Sequence, residues 1–236
     1  MQHMADTTKT GATTRMRHYR TESIVAGVLF ITATGATMAS QIIIAPMLGA
    51  PDVVGQVTDQ RSLFVVGVML ELANALASAG IAIALYPIIW RCVQGLAVAY
   101  VGLRLIEASL GACAAIGLLM LLSGTDRALA VALHDWAFLL VLLVFSIGTL
   151  ILYPVLFKFR LVPVVLSLWG LIGGLMLLVS VVLILFGRIE IGSGTDMVLS
   201  LPIWINEMAL ALWLIFRGFD LHRIPSTHIS EGRYGH

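Results

Sequence analysis

Four ionisable side chains lie within segments of the sequence that are otherwise apolar: Glu71, Arg104, Glu107 and Glu207. An isolated charge at the centre of a bilayer costs from about 2.5 kcal/mol on insertion scales to more than about 10 kcal/mol in simulations. Such groups are therefore normally paired, or they face a polar cavity. These four residues are the first candidates for binding or proton chemistry inside the protein.

Arg104 and Glu107 are three residues apart, so in a helix they lie next to each other on one face. We expect a direct ion pair between them. The pair is nearly neutral and can therefore be buried more cheaply than either charge alone.

Glu71 and Glu207 then have no further cation at their depth. Each must share the guanidinium of Arg104, bond to Asn74, Asn206 or water, or take up a proton, because burial disfavours a charged carboxylate. Together with Asn74 they predict a polar site in the membrane. The alternative is a buried polar cluster that only fixes the register of the helices.

The composition decides what surrounds these residues. Of 236 residues, 59% are hydrophobic and 11% are charged, whereas soluble domains are about half apolar and about a quarter charged. The mean hydropathy is +0.99, which is typical of a protein with several membrane spans and excludes soluble enzymes. A formal net charge of +1 leaves no basic face for a nucleic acid.

Six apolar segments are long enough to cross a bilayer, since about 20 helical residues span its hydrocarbon core. We predict an all-α integral membrane protein, a bundle of six transmembrane helices. It has a disordered basic tail over 1–22, one transmembrane domain over 23–219 and a second tail over 220–236. The predicted spans are Ser23–Ala45, Ser62–Ile89, Leu96–Leu122, Leu129–Phe157, Pro163–Phe186 and Leu199–Phe219.

The basic residues predict the orientation, because Lys and Arg are retained on the cytoplasmic side during insertion. Three of them, Arg61, Arg127 and Arg188, fall on one side. We therefore expect both termini in the cytoplasm. The other side collects ten: Lys9, Arg15, Arg17, Arg20, Arg91, Lys158, Arg160, Arg217, Arg223 and Arg233.

Residue types exclude several cofactors. Lys9 and Lys158 are the only lysines and both lie outside the apolar segments, so no Schiff base can form within a helix. His134 is the only histidine near the membrane, which excludes a haem held by two histidines. No G-x-x-x-x-G-K-[ST] or H-E-x-x-H motif occurs. We expect no cofactor.

A metal site at His134 and Asp135 is a weaker hypothesis, in which Glu71, Glu107 and Glu207 would supply further ligands. No Glu has a His three or four residues away, as helical carboxylate metal sites often do. The alternative is that His134 and Asp135 form the solvated start of the fourth span, where Asp135 stabilises the first turn.

Three further groups of residues resemble a known family, the bacterial six-helix membrane proteins called domain of unknown function 4386. They are the run Tyr100–Glu107, Pro163 followed by Trp169 and Gly170, and Glu207-Met208 followed by Trp213-Leu214 and Gly218-Phe219. Arg217 stands where that family usually has Lys. The resemblance covers nearly the whole chain and implies six helices in the inner membrane of a bacterium, with Arg104, Glu107 and Glu207 at motif positions. It implies no activity, cofactor or substrate.

Two classes of function use the same polar residues. In the first, a cavity lined by Glu71, Asn74, Arg104, Glu107 and Glu207 binds or transports a small polar or amphiphilic molecule, with proton exchange at a Glu. In the second, the protein is an intramembrane enzyme acting on a lipid-like substrate, with a Glu as general base. A structural or regulatory role is the third alternative. The expected partners are membrane lipid, the ligand and, because the chain is small for a transporter, further copies of itself.

Overall fold

The computed structural model describes the backbone of residues 2–220 and the side chains of residues 19–220. This part of the chain contains helices and no strand. The helices are α1 (Gln2–Leu48), α2 (Val53–Asp59), α3 (Arg61–Cys92), α4 (Gln94–Leu121), α5 (Arg127–Lys158), α6 (Val164–Leu185) and α7 (Gly194–Phe216).

The prediction of six membrane helices is confirmed. Six helices in the described part of the chain are long and apolar enough to cross a membrane, the first of them over Tyr19–Leu48 of α1. The short helix α2 was not predicted, because seven residues between two spans carry too little periodicity to be recognised.

The starts of the helices follow from their capping residues. The carboxylate of Asp126 accepts a hydrogen bond of 3.0 Å from the backbone N–H of Leu129, which starts α5 at Arg127. The hydroxyl of Ser193 caps α7 in the same way, by accepting from the N–H of Asp196. For this reason α7 begins five residues before the predicted start at Leu199.

Two predicted tails flank the domain. The first, over 1–22, was predicted to be disordered, whereas the backbone is helical from Gln2 and runs without a break into the first span. Once a span has formed, each residue that continues the helix adds one hydrogen bond, so the extension needs no new nucleus. The second tail, over 220–236, lies outside the described residues except for Asp220.

The six long helices form a closed ring. Each packs mainly against its neighbours along the chain, and α1 packs against α7 to close the circle. At the closure, the guanidinium of Arg20 donates hydrogen bonds to three carbonyls in the last turn of α7, those of Leu214, Ile215 and Phe216, at 2.7–3.3 Å. These carbonyls have no partner within the helix, so Arg20 both caps α7 and fixes α1 against it.

Every interface of this ring contains a glycine at which the two helices approach closely. In lipid, helices associate through close packing, and small residues permit it. A β-carbon added at any of these glycines would lie 1.9–3.1 Å from an atom of the neighbouring helix. In order around the ring from the α1–α7 interface, they are Gly27, Gly67, Gly111, Gly117, Gly170 and Gly173.

The ring has one strongly basic end. Five basic residues lie at or just beyond the ends of the membrane spans on this side, which we call the basic end: Arg20, Arg91, Lys158, Arg160 and Arg217. Two of its segments are in direct contact, because the guanidinium carbon of Arg91 lies 4.6 Å from the centre of the Tyr19 ring. The opposite end carries Arg61, Arg127 and Arg188.

Candidate functional site

A cavity lies in the middle of the ring and is lined by residues from all six long helices. It offers about 50 Å³ to the centres of water-sized molecules. A single water needs roughly 10–15 Å³ by this measure, so the central cavity has room for several waters or one small ligand. Its polar lining residues are Thr34, Thr37, Asn74, Ser78, Arg104, Glu107, Trp204 and Glu207, and Phe138, Phe145 and Leu177 contribute to its apolar wall.

Arg104 is the centre of the polar network. Its side chain is 2% exposed, and its Nη1 donates to Glu107 Oε1 at 3.0 Å and to Ser78 Oγ at 2.9 Å. Its Nε donates to the hydroxyl oxygen of Tyr100 at 3.0 Å. The predicted ion pair with Glu107 is therefore confirmed. The hydroxyl of Ser78 donates to Glu107 and so links the two charged groups.

One nitrogen of the Arg104 guanidinium is left over. Among the described residues, Nη2 has no hydrogen-bond partner, although it is buried. The guanidinium carbon lies 5.0 Å from the centre of the Phe145 ring and 5.4 Å from that of Tyr100, so aromatic faces rather than acceptors surround part of the cation. A buried donor without a partner costs about 1–3 kcal/mol, which a polar group in the adjoining cavity would recover.

Glu207 lines the same cavity from α7. Its Oε2 accepts a hydrogen bond of 3.2 Å from the hydroxyl of Thr34. Within the described part of the chain it forms no ion pair, since the single guanidinium in the network is paired with Glu107. The cavity therefore contains one cation and two carboxyl groups, and its net charge is zero only when one of these carries a proton.

Asn74 also lines the cavity, and no partner for its side-chain amide occurs among the described residues. Asn206 is the other asparagine that the sequence suggested as a partner for Glu71 or Glu207, and its amide is already bonded within the protein. The Asn206 Oδ1 accepts from the hydroxyl of Tyr153 at 2.6 Å, and its Nδ2 donates to the carbonyl of Leu166 at 2.9 Å. Asn206 is therefore fully used in joining α5, α6 and α7, and Asn74 is the amide available to a ligand.

Glu71 does not join the cavity network as the sequence had suggested. Its Oε1 accepts from the hydroxyl of Ser40 at 3.4 Å, and its Oε2 lies 3.7 Å from Nδ1 of His134. Glu71, Ser40 and His134 thus form a second buried cluster between α1, α3 and α5. The single polar site predicted from the sequence is therefore two clusters, with Asn74 one turn along α3 from Glu71 on the cavity side.

His134 is buried, and the alternative of a solvated helix start is wrong for it. The helix begins at Arg127, which places His134 two turns inside. Gly117 of α4 also allows α5 to come close, because a β-carbon there would lie 2.7 Å from the backbone nitrogen of His134. Asp135 points the other way and is exposed. Among the described residues, no three His, Cys, Asp or Glu side chains are grouped as a metal site would need.

Tyr100 and Thr34 are among the site residues that the sequence analysis did not single out. Tyr100 is four residues before Arg104, and this i, i+4 spacing was the available signal. Thr34 had no signal, because its partner Glu207 is 173 residues away in the sequence.

A family model matches residues 25–218, which include most of the first span, the other five spans and every residue that lines the cavity. Its description is Domain of unknown function (DUF4386). The chain belongs to this family. No curated protein and no solved structure matches the chain. With six helices that can cross a membrane, this DUF4386 protein is a multi-pass membrane protein.

Proposed function

We propose that this DUF4386 protein binds and transports a small molecule that carries an acceptor group such as a carboxylate, and that Glu207 takes up a proton when the ligand binds. The observation that carries the proposal is the buried Arg104 guanidinium, which lines the central cavity and has a nitrogen without a partner among the described residues. A carboxylate oxygen is the acceptor that suits a guanidinium best. Asn74 offers a second contact from α3.

The charges explain why a proton belongs to the binding step. Arg104 already balances Glu107, so an anionic ligand would enter a cavity in which an ionised Glu207 repels it. A proton on Glu207 removes this repulsion and supplies a donor. Ligand and proton therefore support each other's binding, and this linkage is reciprocal.

The same geometry supports a transport role over an intramembrane enzyme. Ser78 carries the hydroxyl nearest to the charged network, but it accepts from Arg104 and donates to Glu107. A hydroxyl held in this way positions the ion pair and is not a free nucleophile. Opening of the ring to one side and then to the other would carry the ligand across the membrane. The protein would act as a homo-oligomer in a bacterial inner membrane, as its family resemblance implies. Its basic residues support an orientation with both termini in the cytoplasm.

The test uses propionate and its neutral amide, propionamide, as probes of equal shape. Binding to the folded state raises stability by RT ln(1 + [ligand]/Kd), about 2.7 kcal/mol at roughly 100 times Kd. We expect propionate, but not propionamide, to raise the melting temperature of the protein in detergent. The apparent Kd should be lower at about pH 6 than at about pH 8, by at most about tenfold for each pH unit, because one proton is taken up.

Two variants separate this proposal from a general salt effect. Glu207→Gln cannot ionise, so its response to propionate should no longer depend on pH. Arg61→Gln removes an exposed arginine at the opposite end and should respond as the parent does. Equal responses to propionate and propionamide, or an unchanged pH dependence in Glu207→Gln, would contradict the proposal.

A further inference from the structure

A second cleft opens at the basic end, away from the central cavity and independent of its function. It lies between the turn that joins α5 to α6 and the end of α7, and it encloses about 370 Å³. Its walls include Arg160, Val164, Trp213, Arg217 and Phe219. We call it the basic groove. The spans end at Lys158, Val164 and Phe216, so the basic groove lies at the level where lipid headgroups begin.

The side chains of two arginines in the basic groove form no polar contact with the described part of the protein. Among the described residues, neither the Arg160 side chain nor the Arg217 side chain has a hydrogen-bond or ion-pair partner. The carbonyls at the end of α7, which Arg217 would be placed to cap, are taken by Arg20 from α1. One carboxylate, that of Asp220, also lines the groove, so the charges of the described lining residues sum to +1.

The backbone at Arg160 indicates that its side chain is needed. The α5 helix ends with the N–H of Arg160 bonded to the carbonyl of Phe157 and the N–H of Leu161 bonded to that of Leu156. This arrangement requires a left-handed residue, usually glycine, at the position that Arg160 occupies with φ of 50°.

The end of α6 provides the comparison within the same chain. It closes with the same pair of bonds, and there the left-handed residue is Gly187, with φ of 64°. A side chain in this conformation is disfavoured relative to glycine. The turn beside the basic groove therefore has a conformational cost, because its left-handed residue is an arginine. The equivalent turn at the opposite end avoids this cost with glycine. The turn itself therefore does not explain why an arginine is present at position 160.

We propose that the basic groove binds the phosphate of an anionic phospholipid, with Arg160 and Arg217 holding the phosphate oxygens. Two guanidinium groups that follow the ends of different helices suit a phosphate, because each can donate two parallel hydrogen bonds to it. Val164, Trp213 and Phe219 provide an apolar wall for the start of an acyl chain, and tryptophan is favoured at this depth. A free phosphate ion would use the arginines and leave this wall unoccupied.

The experiment measures lipid retention by the purified full chain with native mass spectrometry. Phosphatidylglycerol and phosphatidylcholine with identical acyl chains are offered in equal amounts. We expect the parent protein to retain phosphatidylglycerol preferentially. Replacing one arginine should reduce this preference about fivefold, because a basic residue near an anionic membrane surface has about this effect.

Three variants make the test specific. Arg160→Gly removes the charge and gives the turn its preferred residue, so it should fold at least as well as the parent and still lose lipid preference. Arg217→Gln should show the same loss. Arg188→Gln, which removes an exposed arginine at the opposite end, should retain the parental preference.

Three results would overturn the proposal. An unchanged preference in Arg160→Gly would show that Arg160 serves only membrane orientation. An equal loss in Arg188→Gln would show that the preference reflects total charge and not the basic groove. Displacement of phosphatidylglycerol by millimolar inorganic phosphate would show that the groove takes the free ion and not the lipid.

Discussion

The coupling between Arg104 and Glu107 is the most direct test of the structure. Breaking a buried ion pair by removing one partner costs about 3–5 kcal/mol, because the other charge stays buried without compensation. Three variants measure it: Arg104→Met, Glu107→Gln and the two changes combined. Methionine keeps much of the volume of arginine without its charge, and glutamine keeps the shape of glutamate.

The contacts predict that the two single changes are unequal. Arg104→Met strands the carboxylate of Glu107 and also removes the bonds from Arg104 to Ser78 and Tyr100. We expect it to cost the upper part of the range, about 5 kcal/mol. Glu107→Gln leaves an acceptor for the Ser78 hydroxyl, and Glu207 across the cavity remains to balance the cation. Its cost should be lower, about 2–3 kcal/mol.

The double variant carries no stranded charge from the pair, so its loss should be smaller than the sum of the two single losses. We expect a coupling free energy of at least about 1.5 kcal/mol, within the range of buried partners in contact. The assay is reversible unfolding by sodium dodecyl sulfate in mixed micelles, followed by tryptophan fluorescence. Arg61→Met, at an exposed site, is the control and should be close to neutral. Additive losses would refute the reasoning, because they would show that Arg104 and Glu107 do not act as partners.

Three more predictions test the orientation, the proton site and the packing. A reporter that is active only outside the cytoplasm should be silent when fused after His236 and active when inserted within 192–196; the opposite pattern would reverse the predicted orientation. Infrared spectra should show a protonated carboxyl band that weakens between about pH 4 and about pH 9 and is missing in Glu207→Gln, because one guanidinium balances only one of two carboxylates; identical spectra would exclude Glu207 as the proton site. Gly170→Ala should destabilise the protein by about 1–3 kcal/mol in the same unfolding assay, because its new β-carbon would fall 1.9 Å from the ring of Tyr153; a neutral result would show that α5 and α6 are not so close.

Local sequence patterns were sufficient to predict the six membrane spans and one ion pair of the site. The length and hydropathy of each segment predicted six helices, because a bilayer of fixed thickness demands about 20 apolar residues for each crossing. The Arg104–Glu107 pair followed from a spacing of three residues on one helix, which places the side chains together whatever the rest of the fold does. The second partner of Arg104, Tyr100, lies four residues away and was open to the same argument.

The tertiary structure alone decided which helices meet and therefore which polar groups share a cluster. In lipid the outward face of a helix is as apolar as the inward face, so hydrophobic periodicity does not show which side contacts protein. The position of Glu71 within its span suggested that it lies near Arg104, but in the folded bundle its carboxylate contacts Ser40 and His134. Contacts of this kind join residues far apart in sequence, as Thr34 and Glu207 do. The Thr34–Glu207 contact depends on the closure of α1 against α7, which no local pattern in the chain specifies.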